Sequence, residues 1–463
     1  MTAFVRNDEV ARIKAKLDHP VIDGDGHLME VLPVVFDFVR EAAGSDVLDR
    51  LHGFNRNWFA GGKGFLPTRA FHAFPAENTL DRMTAVLPKL FYNRLDQIGL
   101  DFALVYPTFG LSLMSNPDDE VRQAGAHALN RYYAETFAGL RDRLEPVAIL
   151  PAFTPEEAIV ELEHAVVELG LRTVMLCGVV PRSVLPKGTE ASWVDTLGHG
   201  SLHDYDRLWA RCAELKVVPS FHGIGYGWGS RVSARNYVHN HIGNFAAAQE
   251  AVCRSLIMGG VPKRFPQLRF AFLEGGVSWA AQLLCDLIGH FENRNKDVIG
   301  RYDDARIDQS LVATLYSEFA TGPLGNNMER YLQSLTRSAA ASSAIVELDD
   351  FAESGLQCVD DIVAVFANQL HFGCEADDPM NALAFNTKIL PTGGRLSALF
   401  ASDIGHWDVP DATDVLPEAW ELVEHDHINE TQFRDFVFGN VTRMLTDVNP
   451  QFFDGTAVAG AVA

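Results

Sequence analysis

Short runs of apolar and β-branched residues alternate with amphipathic stretches from about residue 20 to residue 447, the pattern of parallel strands joined by crossover helices. Eight runs can be marked: VIDGDGH (21–27), FALVYPT (102–108), LEPVAILPA (144–152), TVMLCGV (173–179), VVPSFHG (217–223), RFAFLEGG (269–276), QLHFGCE (369–375) and LSALFASDIGH (396–406). Between them, EEAIVELEHAVVELG (156–170) and DYDRLWARCAELK (204–216) repeat apolar residues at spacings of three and four and end in Gly or Lys, as helices of an outer ring do. Eight such units close a cylinder, so the pattern predicts an α/β fold, a (β/α)8 TIM barrel. Two connections exceed a simple crossover, about 43–101 and 300–368, and are expected to be helical and loop insertions after strands 1 and 6 that build a rim or lid. The domain reading is an N-terminal arm (1–20), one barrel (21–450) and a loose, flexible tail (451–463) that ends in the small residues GTAVAGAVA.

Composition narrows the function classes. The 463 residues are 47% hydrophobic and 21% charged, which is globular and excludes disorder. A formal charge of −23 repels phosphate backbones and anionic lipid, so the expected partner is a small-molecule substrate rather than nucleic acid or membrane. Six cysteines without a CxxC pair read as reduced thiols, mostly core residues. The N-terminus has no apolar signal core, and no uncharged apolar stretch is long enough to span a bilayer; a cytoplasmic location is expected. A homodimer is the default for an enzyme of this size.

Polar residues interrupt the apolar runs mainly at their C-terminal ends, where barrel enzymes place their chemistry. The first run ends Asp23-Gly24-Asp25-Gly26-His27, the fifth in His222, the sixth in Glu274, the seventh in Glu375, and the eighth in Asp403 followed by His406. Residues two apart on a strand point the same way, so Asp25 and His27 can aim at one ion, with His222 and Asp403 closing the set from the far wall. Two imidazoles and two carboxylates suit a divalent metal, zinc first, with iron or manganese also compatible, as one ion or two. Such an ion lowers the pKa of bound water and makes hydroxide available near neutral pH.

The phrases VIDGDGHLME, VVPSFHGIG, GGVPKRFPQLRFAFLEGGVSWA and FASDIGHWD resemble the amidohydrolase superfamily, specifically the amidohydrolase-related group that includes aminocarboxymuconate semialdehyde decarboxylase. Most of residues 20–450 take part in the resemblance. It implies that the family's first-strand HxH pair falls on Asp25-x-His27, its fifth-strand histidine on His222 and its eighth-strand aspartate on Asp403. Aspartate replaces the first histidine, and Glu274-Gly275-Gly276 stands where the decarboxylase relatives have a histidine before Gly-Gly. A carboxylate there is expected to act as a base or as a ligand to a second ion, which Glu30 could join.

These features lead to a metal-dependent hydrolase in which activated hydroxide attacks a carbonyl of a small apolar or aromatic substrate (amide, ester, thioester or C–C bond), with Asp403 or Glu274 moving the proton. His241, in NYVHNHIGNFA after strand five, is the candidate acid or base reaching the substrate, in preference to His239. Two alternatives stand beside this reading: a metal-dependent non-oxidative decarboxylase of an aromatic or enol carboxylate, and a catalytically inactive barrel that only binds. Glu375 and His406 could instead anchor loops, Glu274 could orient a ligand histidine, and Glu30 could serve a helix start. Gly223–Gly229 lacks the third glycine of a dinucleotide loop, since Trp228 occupies that place. In the first insertion Phe54, Trp58, Phe65, Phe71 and Phe74 read as a subdomain core or an apolar lid, and Arg56, Lys63 and Arg69 as surface charges or carboxylate holders.

Overall fold

Strands buried on both faces need apolar residues at every position rather than at alternate ones, and the marked runs are of that kind. A computed structural model describes residues 4–60, 76–183, 192–225, 228–233, 236–334 and 348–462. The strands are β1 (Ile22–Leu28), β2 (Phe102–Pro107), β3 (Leu144–Leu150), β4 (Thr173–Leu176), β5 (Val180–Ser183), β6 (Ser192–Asp195), β7 (Pro219–Phe221), β8 (Phe270–Phe272), β9 (Leu370–Glu375) and β10 (Ser397–Ala401). Eight of them pair in parallel in the order β1-β2-β3-β4-β7-β8-β9-β10, one from each marked run. The seam between first and last strands is closed by backbone bonds from Asp403 N–H to the Asp25 carbonyl (3.1 Å) and from His27 N–H to the Ile404 carbonyl (3.2 Å). This is the eight-stranded barrel that the pattern predicts.

Antiparallel β5 and β6, with Arg182 Nε 3.0 Å from Asp195 Oδ2, form a hairpin beyond β4 that the sequence pattern does not reveal. The expected helices are present as Pro155–Glu163, which widens into a π-helical turn over His164–Glu168, and as Asp206–Leu215. Between β1 and β2 lie helices Leu32–Ala60, Thr79–Thr84 and Pro88–Ile98, the first broken at Gly44, whose φ of 84° no helix can hold. Between β8 and β9 lie helices Ser278–Arg294, Gln309–Phe319 and Val359–Asn368 with short 3-10 turns. Phe65, Phe71, Phe74, Lys63, Arg69 and most of the Ser/Ala-rich stretch after Ser334 lie outside the described residues, as do the side chains of Phe54, Arg56 and Trp58.

The stretch 451–462 is not a loose tail. Phe452, Phe453 and Val458 are buried, the Phe453 ring meets Phe102 at the foot of β2 (centroids 5.5 Å), and Ala457 N–H donates to the Asp142 carbonyl (2.9 Å). Three apolar anchors among small residues outweigh the disordering effect of the small ones. Four cysteines are buried and two exposed, all as free thiols. No helix among the described residues is long and apolar enough to cross a membrane.

Candidate metal centre

The first strand builds one wall. Gly26 separates Asp25 from His27, and a Cβ there would come within 2.6 Å of Asp23 Oδ2, so the DGDGH sequence leaves the space that the Asp23 carboxylate fills. Asp23 itself faces the seam: its oxygens accept from Ser402 Oγ (2.5 Å), Ser402 N–H (3.0 Å) and Asp25 N–H (3.1 Å). Burial raises its carboxyl to about 6, against these hydrogen bonds. Asp23 therefore clasps β1 to β10 and leaves Asp25 and His27 to face inward.

Asp25, His27, His222, Glu274 and Asp403 converge at the C-terminal mouth, all buried. The Nε2 atoms of His27 and His222 are 3.3 Å apart. His27 Nε2 lies 3.5 Å from Asp25 Oδ1 and 3.6 Å from Asp403 Oδ1, while His222 Nε2 lies 3.1 Å from Glu274 Oε2 and 3.9 Å from Asp25 Oδ2. Ligand bonds of about 2.1 Å would place neighbouring donor atoms roughly 3.0–3.4 Å apart in tetrahedral or octahedral sets, close to this spacing. Glu274 and Asp403 sit just beyond β8 and β10 with φ of 55° and 48°, left-handed conformations that non-glycine residues adopt at a cost. The backbone is thus held in an unfavourable state at two of the converging carboxylates.

The charge balance of this mouth is one-sided. Among the described residues, Asp25 Oδ1, Glu274 Oε2 and both oxygens of Asp403 are buried and find no hydrogen bond, nor does His222 Nδ1. Every ion-pair contact of these carboxylates among the described residues is with a histidine. Burial drives Asp25 well above the ordinary carboxylate range, with His222 opposing and Glu274 adding to the shift. Asp403 and Glu274 rise well above it for the same reason, reinforced by neighbouring carboxylates. Burial also lowers the His222 imidazole, keeping it neutral and able to offer a lone pair. Convergent bare lone pairs without a counter-charge are what a divalent cation satisfies. The donor set, oxygens and imidazole nitrogens, fits zinc, iron or manganese alike.

The remaining candidates divide. His406 belongs to the cluster: its Nδ1 lies 2.6 Å from Asp403 Oδ1 and its ring lies tilted by 33° against His27, centroids 4.1 Å apart. Glu375 stands at the rim, its carboxyl pushed up to about 8 by burial and by Glu274. Glu30 points away from the cluster and accepts from Phe109 N–H (2.9 Å) and Tyr133 O–H (3.1 Å), serving the start of helix Thr108–Leu113. His241 lies one ring removed, against Tyr237, Phe245 and Trp407 (centroids 5.0, 5.7 and 5.6 Å), and Phe245 in turn meets His222 at 5.4 Å. His239 is exposed. Two residues escaped the sequence reading. Thr108 Oγ1 lies 3.4 Å from His27 Nδ1 and 3.2 Å from His406 Nε2, and Asp408, with a buried unpaired oxygen, raises Glu274, Asp403 and Glu375. Each closes a phrase already marked, FALVYPT and FASDIGHWD.

Residues 92–316 match the family model described as amidohydrolase. No curated protein matches the chain. Among solved structures, the chain is similar to an amidohydrolase from Mycobacterium avium subsp. paratuberculosis K-10, at 16% identity and a TM-score of 0.53, over 93% of this chain and 100% of that one. It is also similar to a dihydroxybenzoic acid decarboxylase from Polaromonas sp. JS666 with bound manganese and 2-nitroresorcinol, at 15% identity and a TM-score of 0.48, over 92% and 97%. The family match bears out the resemblance carried by the sequence phrases, and the first structure bears out the barrel.

Proposed function

With an amidohydrolase-family sequence over residues 92–316 folded into a (β/α)8 barrel, we propose that this chain is a metal-dependent hydrolase of a small, apolar or aromatic carbonyl compound. The observation that carries this reading is the set of buried carboxylate oxygens of Asp25, Glu274 and Asp403, without hydrogen bonds, facing the imidazoles of His27 and His222. Asp25, His27, His222 and Asp403 would hold the ion, with Glu274 beside it. A divalent ion supplies Lewis acidity there, acidifying water and polarising a carbonyl.

The chain's own groups do the rest. Glu274, whose Oε2 stands 3.1 Å from His222 Nε2 at the mouth, takes a proton from attacking water and returns it to the leaving group. His406, 2.6 Å from Asp403 and packed against the His27 ring, holds those two side chains in position, and Thr108 spans the outer nitrogens of both histidines. The rings of Tyr237, Phe245 and Trp407, packed around His241, give the mouth an apolar wall that favours a ring or hydrocarbon group. The departure at Glu274, a carboxylate where the decarboxylase relatives carry histidine, supports hydrolysis over carbon dioxide release. The test is turnover of aryl esters, amides, thioesters and β-diketones in ¹⁸O-water by zinc- or manganese-loaded protein. Label in the product carboxylate is expected. Carbon dioxide released from an aromatic carboxylate without label would replace the hydrolase by a lyase, and a chain that takes up no metal would remove both.

A further inference from the structure

We propose a second divalent transition-metal site, on the outer helical ring and separate from the barrel mouth, formed by His127, Glu161 and His164. His127 lies on helix Asp119–Thr136, Glu161 in the last turn of helix Pro155–Glu163, and His164 at the first position of the π-helical turn that follows. One ligand atom from each falls within 4.8 Å of the others. His127 Nδ1 is 3.5 Å from Glu161 Oε2, and the two imidazoles stack with centroids 3.7 Å apart and planes inclined by 23°. Glu161 and His164 are spaced i, i+3, which puts both on one helix face toward the neighbouring helix.

His164 supplies the independent reason to place a ligand here. It is 8% exposed, and its Nε2 is buried with no hydrogen-bond partner among the described residues. Its Nδ1 lies 2.9 Å from Glu168 Oε2, so Nδ1 carries the proton and donates it to that carboxylate. That leaves Nε2 with a bare lone pair, and a histidine whose far nitrogen is held by a carboxylate is the usual arrangement of a metal-bound imidazole. Glu161 is oriented the same way: Asn130 Nδ2 donates to its Oε1 (2.7 Å) while Asn130 is itself fixed by the backbone of Ile149 in β3, leaving Oε2 toward His127. The π-turn adds one residue to the helical circuit at His164, a distortion that recurs at functional positions and has no other use visible here. Two imidazoles and one carboxylate select zinc, cobalt, nickel or copper over magnesium and calcium. Half-exposed His127 gives the ion its way in. Bound metal would tie the two neighbouring crossover helices together at a point remote from the chemistry.

The experiment is zinc titration of chelator-stripped full-length protein by calorimetry, with metal content counted after dialysis, in the parent and in His127→Gln and Glu161→Gln. Each variant is expected to bind one zinc equivalent fewer per chain while its turnover stays at the parental level. In a His222→Ala chain, impaired at the mouth, one equivalent is expected to remain and to vanish when His127→Gln is added. Equal stoichiometry in parent and both variants overturns the proposal, whatever happens at the mouth. So does a His222→Ala chain that holds no zinc. Glu161→Gln serves as the check should His127→Gln alter folding, since the amide keeps the size and the Asn130 contact.

Discussion

The two ends of the barrel treat buried carboxylates in opposite ways. At the N-terminal end, Glu145 on β3 is fully buried, and its oxygens meet Arg141 Nη2 (2.7 Å), Arg172 Nη2 (2.5 Å) and Arg172 N–H (3.1 Å). On the outer ring Glu157 is held likewise by Arg122, and Asp81 pairs with buried Arg94. At the C-terminal mouth Asp25, Glu274 and Asp403 have only imidazoles for company and oxygens without hydrogen bonds. A chain that meets Glu145, Glu157 and Asp81 with arginine has left this group without one. The difference separates charge used to hold the fold from charge kept for a ligand.

The largest effect that tests this contrast is loss of a converging side chain. His222→Ala or Asp403→Asn is expected to weaken metal binding by more than the roughly 10–100-fold typical of removing an outer partner, and to abolish turnover. Unchanged metal content after dialysis would mean that the mouth is an ordinary polar cluster. Next in size, Glu145→Ala should lower stability by about 1.5–3 kcal/mol in urea unfolding, because two partly buried guanidinium groups lose a fully buried partner. A loss below about 1 kcal/mol would place Glu145 among pairs of little consequence.

The mouth carboxylates should behave with the opposite sign. In metal-free protein, Glu274→Gln removes a buried acid whose ionised form is disfavoured by burial and by Asp408, and should leave stability unchanged or raise it by about 1 kcal/mol; marked destabilisation without metal would contradict the charge picture. The smallest effect concerns pH. Glu30, raised from 4.5 to about 7 by burial, binds its proton more tightly in the folded chain than in the unfolded one. Its contribution is therefore fully present below about pH 4.5 and is lost as pH rises through about 7. Glu30→Gln, which retains an acceptor for Phe109 N–H, should flatten that part of the stability profile, and an unaltered slope would refute the assignment.

What could be read in advance was whatever depends on local pattern. Strands buried on both faces announce themselves as unbroken apolar runs, and a polar residue at the end of such a run has few other reasons to be there; Asp25, His27, His222, Glu274 and Asp403 were visible for that reason. Thr108 and Asp408 were not, because their roles come from which strand lies next to which, and a lone threonine or aspartate after a strand looks like turn chemistry. Strands β5 and β6 are four residues each and contain Pro181 and Arg182, too short and mixed to show a period. The C-terminal stretch misled for the converse reason: its composition is small and featureless on average, while Phe452, Phe453 and Val458 decide its fate. The cluster at His127 and His164 was hidden because its members sit on helices, where a histidine every few residues is unremarkable.

The seam clasped by Asp23 and Ser402 also sets a timetable. Asp25 and His27 stand on its first side and Asp403 on its last, so a ribosome must translate past Asp403 before the two sides of the pocket can meet. A growing chain that stops short of Asp403 carries an open cylinder that lacks its closing carboxylate. Closure of the pocket is consequently a late event, reached only after the last barrel strand has emerged.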